Sequence, residues 1–351
     1  MIQPDAIVLF SGGLDSILTA LLLKEQGLEV TCLNMISPFF GHSGKVKVWK
    51  RLYNLDVVAH DVSESFVAMM RARPAHGFGK TLNPCVDCKI LLLKEAKRYM
   101  LECGAKFLAS GAVVGQRPMS QRRDVLNTIV HEAEVEDCLV RPLSALQLPE
   151  TEVEKKGLVK RSLLLGISGR GRKEQLSLAK DRFHLREIPS PAGGCMLTER
   201  ENGRRLWMVL TRTPAPTVHD FQLANVGRQL WKNEGDDWYW LSIGRNQEDN
   251  RRLRNLLTRE DCLLSFPHVP APVALARRGC TWPAALLFQA GQLTLSYACK
   301  ALQSVNASEM LITRKGESKE ILIEARRHED WGVPSWEELK TEIKAERALS
   351  T

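Results

Sequence analysis

The chain has 351 residues, 44% hydrophobic and 26% charged, a composition of soluble globular protein with room for two domains or three. No apolar stretch reaches the length of a membrane span, and the first residues lead directly into a strand pattern, so neither a membrane helix nor a secretory signal is expected. A cytoplasmic location follows, in which nine cysteines read as buried, catalytic or metal-binding and not as a disulfide framework. The net charge of +8 favours a polyanionic partner, and basic pairs such as Arg122-Arg123, Arg204-Arg205, Arg251-Arg252 and Arg277-Arg278 recur through both halves. Each pair alone reads as solvated surface; together they make a phosphate-tracking face.

In chain order, Ala6-Ile7-Val8-Leu9-Phe10 is short, apolar and β-prone, a buried strand. Ile17 to Lys24 reads as a helix starting near Asp15 or Ser16. Between them lies Ser11-Gly12-Gly13-Leu14-Asp15-Ser16. A strand, a glycine-rich turn and a helix together bind phosphate, because backbone N–H groups and the helix N-terminus both face the anion. Ser11 and Ser16 add hydroxyl donors, and Asp15 beside a phosphate calls for Mg²⁺ between them. The alternative is a tight turn with Asp15 or Ser16 as N-cap. The string SGGLDS resembles the signature of the PP-loop ATP pyrophosphatases, which implies ATP binding on Ser11, Gly12, Gly13, Asp15 and Ser16, with cleavage between the α- and β-phosphates.

Leu28 to Met35 reads as a second strand, with Met35 placed near a base, and Asp56 to Asp61 as a third. Strands alternating with helices predict a doubly wound parallel sheet with its ligand at the carboxyl ends of the strands, and the PP-loop resemblance implies that the sheet is adenine-nucleotide α-hydrolase-like. Asn83-Pro84-Cys85-Val86-Asp87-Cys88-Lys89 then opens a helix through about Cys103. A Cys-x-x-Cys at a helix start fits a redox pair, half of a metal site, or two structural cysteines, and the helix N-terminus is expected to lower the thiol pKa.

Lys106 to Ser110 reads as a strand, and the stretch LASGAVVGQRPMSQ resembles the tRNA 4-thiouridine synthetases. The resemblance places Gly111 and Gln116 on a second wall of the ATP site, whereas Ala112 stands where an acid is expected. Arg141, in Val140-Arg141-Pro142-Leu143, reads as a phosphate or substrate contact or as a structural ion pair. Gly166 to Lys173 is a basic glycine-rich turn before a helix to Phe183.

Pro189-Ser190-Pro191-Ala192-Gly193-Gly194-Cys195 reads as irregular backbone ending in an exposed cysteine. The tRNA-specific 2-thiouridylases carry Asn-Pro-Asp-x-x-Cys and a second cysteine far downstream; here Cys85 replaces the acid, leaving Cys85, Cys88 and Cys195. That set is similar to the iron–sulfur branch of tRNA thiolases, where three thiolates hold a 4Fe–4S cluster. A zinc site of three cysteines and water, and a persulfide relay between Cys88 and Cys195, are the alternatives.

From about Thr198 the composition shifts, giving a division into residues 1–197, the catalytic domain, and 198–351, an α+β domain. Trp238 to Ile243, Cys262 to Phe266, Met310 to Thr313 and Ile321 to Ala325 read as strands; Trp282 to Ala301 and the tail from Trp336 read as helices. Trp207, Trp231, Trp238 and Trp240 among the basic clusters would stack on RNA bases or else fill a core. This half resembles the RNA-binding domain of ribosome-associated quality-control proteins. The whole reads as an ATP-dependent tRNA sulfurtransferase using Asp15, Cys88 and Cys195, with ATP, Mg²⁺ and a 4Fe–4S cluster as cofactors. Its partners would be tRNA and a sulfur donor: a cysteine desulfurase, a carrier protein or sulfide. A small-molecule adenylating ligase and a non-catalytic RNA-binding protein are the rival readings.

Overall fold

Ala6, Ile7 and Val8 are each 0% exposed, and that two-sided burial is why β1 (Ala6–Leu9) is apolar throughout rather than alternating. It is the central strand of a five-stranded parallel sheet in a computed structural model that describes residues 3–190, 194–298 and 307–349. The chain divides into two units, Met1–Glu199 with Ile343–Thr351, and Arg200–Glu342.

In the first unit β1 is followed by α1 (Leu14–Glu25), β2 (Val30–Ile36), α2 (Val46–Tyr53), β3 (Asp56–Asp61), α3 (Ser63–Ala72), α4 (Cys85–Cys103), β4 (Phe107–Ser110), α5 (Arg123–Glu132) and β5 (Leu139–Val140). Strand order is β3-β2-β1-β4-β5, all parallel. The two-residue side-chain period splits β1 between two cores. Ala6 and Val8 pack with Ile17, Leu23 and Trp49 from α1 and α2. Ile7 packs with Ile90, Leu93 and Ile129 from α4 and α5. Ile90, Leu93, Ala96 and Met100 form a one-sided stripe on α4, which ends where Gly104 turns left-handed at φ 72°. The sheet is doubly wound, as expected. Its order reverses between β1 and β4, and the crevice at such a reversal is where ligands bind.

Short helices α6 (Glu152–Lys155) and α7 (Lys173–Ser177) follow, the latter continuing as a π-helical turn over Leu178–Arg182. No described helix is long and apolar enough to cross a membrane.

The second unit contains α8 (Arg200–Arg212), α9 (Val218–Ala224), β6 (Arg228–Glu234), β7 (Asp237–Ile243), α10 (Gln247–Asn255), β8 (Cys262–Ser265), β9 (Ala274–Arg277), α11 (Ala284–Leu295), β10 (Ala307–Arg314) and β11 (Glu317–Glu324); α12 (Trp336–Leu349) closes the described chain. Its six strands pair in the order β11-β10-β8-β9-β7-β6 as an antiparallel sheet, so the unit is α+β, as expected. Two strands escape the sequence reading, because β6 is rich in polar residues and β9 reads Ala-Leu-Ala-Arg, neither with strong β preference. The helix expected over Trp282 to Ala301 stops at Leu295, and Ala301 lies outside the described residues.

Burial corrects the base-stacking reading of the tryptophans. Trp207, Trp231 and Trp240 are 2%, 3% and 3% exposed, and Trp231 stacks on Trp240 with ring centroids 4.9 Å apart. Trp238 alone of the four is half-exposed. Arg277 is likewise buried: it bonds Asp220 at 2.7 Å and Asp261 at 3.0 Å, and both carboxylates are fully buried. Arg277→Met should therefore strand two buried acids and cost about 3–5 kcal/mol, read by chemical denaturation of the full chain. Wild-type stability would show that the triad contributes nothing.

Candidate active site

The turn after β1 is built for close approach. Gly12 has φ +75°, and a Cβ there would stand 2.3 Å from Trp49 Cζ2. Gly13 precedes α1, and no side chain caps that helix. Ser16 N and Ile17 N both donate to Gly13 O, at 3.1 and 3.2 Å, so the N–H groups of Leu14 and Asp15 are the ones left to a ligand. Ser16 Oγ donates to Gly13 O at 2.8 Å and lies 3.4 Å from Ser11 Oγ, so both hydroxyls gather at the turn.

β4 supplies the facing wall. Gly111 backs onto the start of α1, where a Cβ would lie 2.7 Å from Asp15 O and 2.9 Å from Ser16 N. Gln116 donates to Asp15 Oδ2 at 3.1 Å, while Asp15 Oδ1 is buried and has no partner. An orphaned carboxylate oxygen beside a phosphate turn fits a cation. Ala112 is buried and supplies no acid to this wall. Gly111→Ala should push the backbone of the turn apart, costing about 1–3 kcal/mol and weakening nucleotide binding; thermal melting and ATP titration read both effects.

Ser11, Asp15, Ser16, Gly111 and Gln116 line one cavity of about 260 Å³, together with Lys89, Arg117 and Arg141. Lys89 donates to Ser120 O at 3.0 Å, and burial, followed by the charge of Arg141, pushes its pKa down to about 8. Burial alone pushes Arg141 down to about 10. Among the described residues neither cation forms an ion pair, which removes the structural-pair reading of Arg141. Two unpaired buried cations are costly unless an anion joins them. Lys89 is the residue sequence reasoning passed over; its position one residue after Cys88 in α4 was visible, its burial was not. Met35 does not line the cavity. It is 6% exposed and packs with Leu33, Val62 and Ile90.

The cysteines meet at the start of α4. Buried Asn83 donates to Cys85 Sγ at 3.1 Å and accepts from Thr81 N at 3.3 Å. Leu82 N donates to Leu197 O at 3.2 Å and Thr81 Oγ1 to Thr198 O at 3.3 Å, holding the Cys195 segment against residues 81–82. Cys85, Cys88 and Cys195 are free thiols, each half-buried, so Cys195 is less exposed than expected; Pro191, Ala192 and Gly193 lie outside the described residues. They are close enough to feel one another's charge. Burial, then Cys195 and Cys85, pushes the Cys88 thiol well above its ordinary range, and burial pushes Cys195 up to about 11. The expected lowering by the helix is overturned, since desolvation can shift a pKa by several units and a helix terminus contributes about 0.3–1 kcal/mol. Among the described residues no three His, Cys, Asp or Glu side chains converge as a metal-binding set. The donor set is three thiols, a chemistry that both a zinc ion and an iron–sulfur cluster accept.

Residues 1–153 match the family model described as "Thiamine biosynthesis protein (ThiI)". A tRNA-specific 2-thiouridylase MnmA from Syntrophomonas wolfei is 37% identical over 111 residues, 30% of this chain and 32% of that protein. A probable tRNA sulfurtransferase from Thermococcus kodakarensis is 29% identical over 122 residues, 32% of this chain and 31% of that protein. The chain spans about a third of the length of these curated relatives. The solved U34-tRNA thiolase NcsA from Methanococcus maripaludis, with its 4Fe–4S cluster, is 13% identical, covers 63% of this chain and 71% of its own, and has a TM-score of 0.29, too distant to bear on the chemistry. The matched segment holds the Ser11–Ser16 turn, the wall at Gly111 and Gln116, and Cys85 and Cys88. By sequence, that segment is similar to the ThiI family model and to curated tRNA-thiolation enzymes.

Proposed function

We propose that this chain is an ATP-dependent tRNA sulfurtransferase. The observation that carries the reading is the cavity at the β1–β4 switch point, where two unpaired buried cations and an orphaned carboxylate oxygen face an uncapped helix N-terminus. ATP phosphates lie over Ser11 to Ser16, with Lys89 and Arg141 neutralising them. Asp15 Oδ1 would hold Mg²⁺, which neutralises phosphate charge. A uridine carbonyl oxygen attacks the α-phosphorus, pyrophosphate departs, and the oxygen becomes part of an AMP leaving group. Buried cations that cannot reorganise into water stabilise the charge developing on the phosphates. Sulfur then adds at the activated carbon and AMP leaves.

Cys85, Cys88 and Cys195 handle the sulfur. A 4Fe–4S cluster on them would supply an iron free to present sulfide. The alternative relay needs a persulfide-bearing desulfurase or carrier and not sulfide. In it Cys88 takes up sulfane sulfur, and its outer sulfur attacks the activated carbon as AMP leaves. Cys195 then attacks Cys88 Sγ, releasing the thiocarbonyl and leaving a Cys88–Cys195 disulfide for a thiol reductant to reopen. The nucleotide must leave its stack to reach the cavity, so a loop uridine is the target. The sulfur donor is a cysteine desulfurase, a carrier protein or sulfide, and the setting is the cytoplasm. The test is pyrophosphate release from ATP with and without tRNA. Release that requires tRNA supports the reading; release at full rate with a small acid or amide alone would assign the chain to the small-molecule ligases.

A further inference from the structure

The second unit has a cavity of about 400 Å³ of its own, which the adenylation site does not use. Trp231 from β6, Trp238 from β7, and Arg212 and Thr213 from the end of α8 all line it. Three donors on these residues have no partner among the described residues: Trp231 Nε1, Thr213 Oγ1 and Arg212 Nε. Trp231 and Thr213 are 3% and 8% exposed, so bulk water does not serve them. Three other polar groups of the lining have partners. Trp240 Nε1 donates to Gln229 at 2.7 Å, Trp282 Nε1 to Arg277 O at 3.1 Å, and Arg278 Nη2 to Pro214 O at 3.0 Å.

Orphaned donors on residues that line one aromatic-walled cavity ask for a ligand that is flat and carries acceptors. Trp238 offers a half-exposed ring, and the Arg212 guanidinium stands 5.1 Å from its centroid, held there by Glu342 at 2.7 Å. Asp236 and Asp237 also line the cavity, which disfavours a bare phosphate and suits exocyclic amines. A nucleobase has the π-face, the carbonyl and ring-nitrogen acceptors, and the amines. The volume falls within the range of small-ligand pockets.

We infer that this cavity binds an unpaired RNA base, with Trp238 as stacking platform and Trp231, Thr213 and Arg212 as donors to its edge. The inference rests on the reading of an RNA substrate, and gives the second unit the task of gripping a single-stranded nucleotide of it. Only one of the four tryptophans is then a platform, and two of the buried ones are framework.

The experiment measures anisotropy of a fluorescent single-stranded RNA octamer on the full chain at physiological salt, against an abasic octamer with the same phosphates. The wild type should bind the base-bearing strand about 10-fold more tightly. Trp238→Ala should erase that preference, and Thr213→Val, nearly isosteric and without the donor, should reduce it by about 3-fold. Equal affinity for both strands, or an undiminished preference in both variants, would overturn the inference. No ATP is present, so failure here leaves the adenylation reading intact, and failure of pyrophosphate release leaves this one intact.

Discussion

Asp15→Ala should lower pyrophosphate release by about two to three orders of magnitude, in a protein that melts no lower than the wild type. The two halves of this expectation have different causes. One carboxylate oxygen accepts from Gln116, an interaction worth about 1 kcal/mol. The other is buried without a partner, and removing it relieves a desolvation cost of similar size. Stability is then nearly balanced, while the proposed cation contact is lost entirely. Asp15→Asn separates charge from shape, because it keeps a side chain within reach of Gln116 and should still fail to turn over ATP. Thermal melting and a coupled pyrophosphate assay decide it: a folded Asp15→Ala protein with undiminished release would remove Asp15 from the chemistry.

Loss of any one of the three thiols should separate the two halves of the reaction. Cys85→Ser, Cys88→Ser and Cys195→Ser are each expected to abolish sulfur incorporation while tRNA-dependent pyrophosphate release continues. The thiols stand at the α4 start and just before the 196–198 turn and do not line the β1–β4 cavity, whereas the hydroxyls, Arg141 and Lys89, the residue after Cys88, do. Anaerobic iron–sulfur reconstitution followed by visible absorption divides the cluster from the relay. Cluster absorption that needs all three cysteines supports the cluster. A cluster that survives Cys195→Ser, or thiolation by an iron-free enzyme, favours the persulfide relay.

What could be read in advance was local and contiguous. Ser11 to Ser16 can be read because a glycine turn between an apolar strand and a helix restricts its own backbone, and Asp56 to Asp61 shows in its β-prone run. The resemblance puts Gly111 and Gln116 on a second wall of the ATP site without naming what they touch; their contacts with Asp15, Gly111 against its backbone and Gln116 to its carboxylate, depend on the tertiary fold. Properties that depend on tertiary burial were hidden. The acidity expected of Cys88 from its helix position ignored desolvation, which dominates once the thiol is enclosed. Lys89 carries no assignment in the sequence, as the last residue of the Asn83–Lys89 string, and is a buried cation. Met35 was assigned to a base by analogy of strand position, yet its side chain belongs to the core on the α4 face. Trp231 and Trp240 stack on each other, a cross-strand pairing that single-chain spacing does not reveal.

The most direct test of sulfur transfer is mass spectrometry of nucleosides from tRNA incubated anaerobically with the full chain, ATP, Mg²⁺ and sulfide. The account predicts a thiolated uridine that appears only with ATP, accompanied by equal amounts of AMP and pyrophosphate. ATP consumed to AMP and pyrophosphate with no sulfur in the tRNA, under conditions where the three cysteines are reduced and reconstituted, would contradict it.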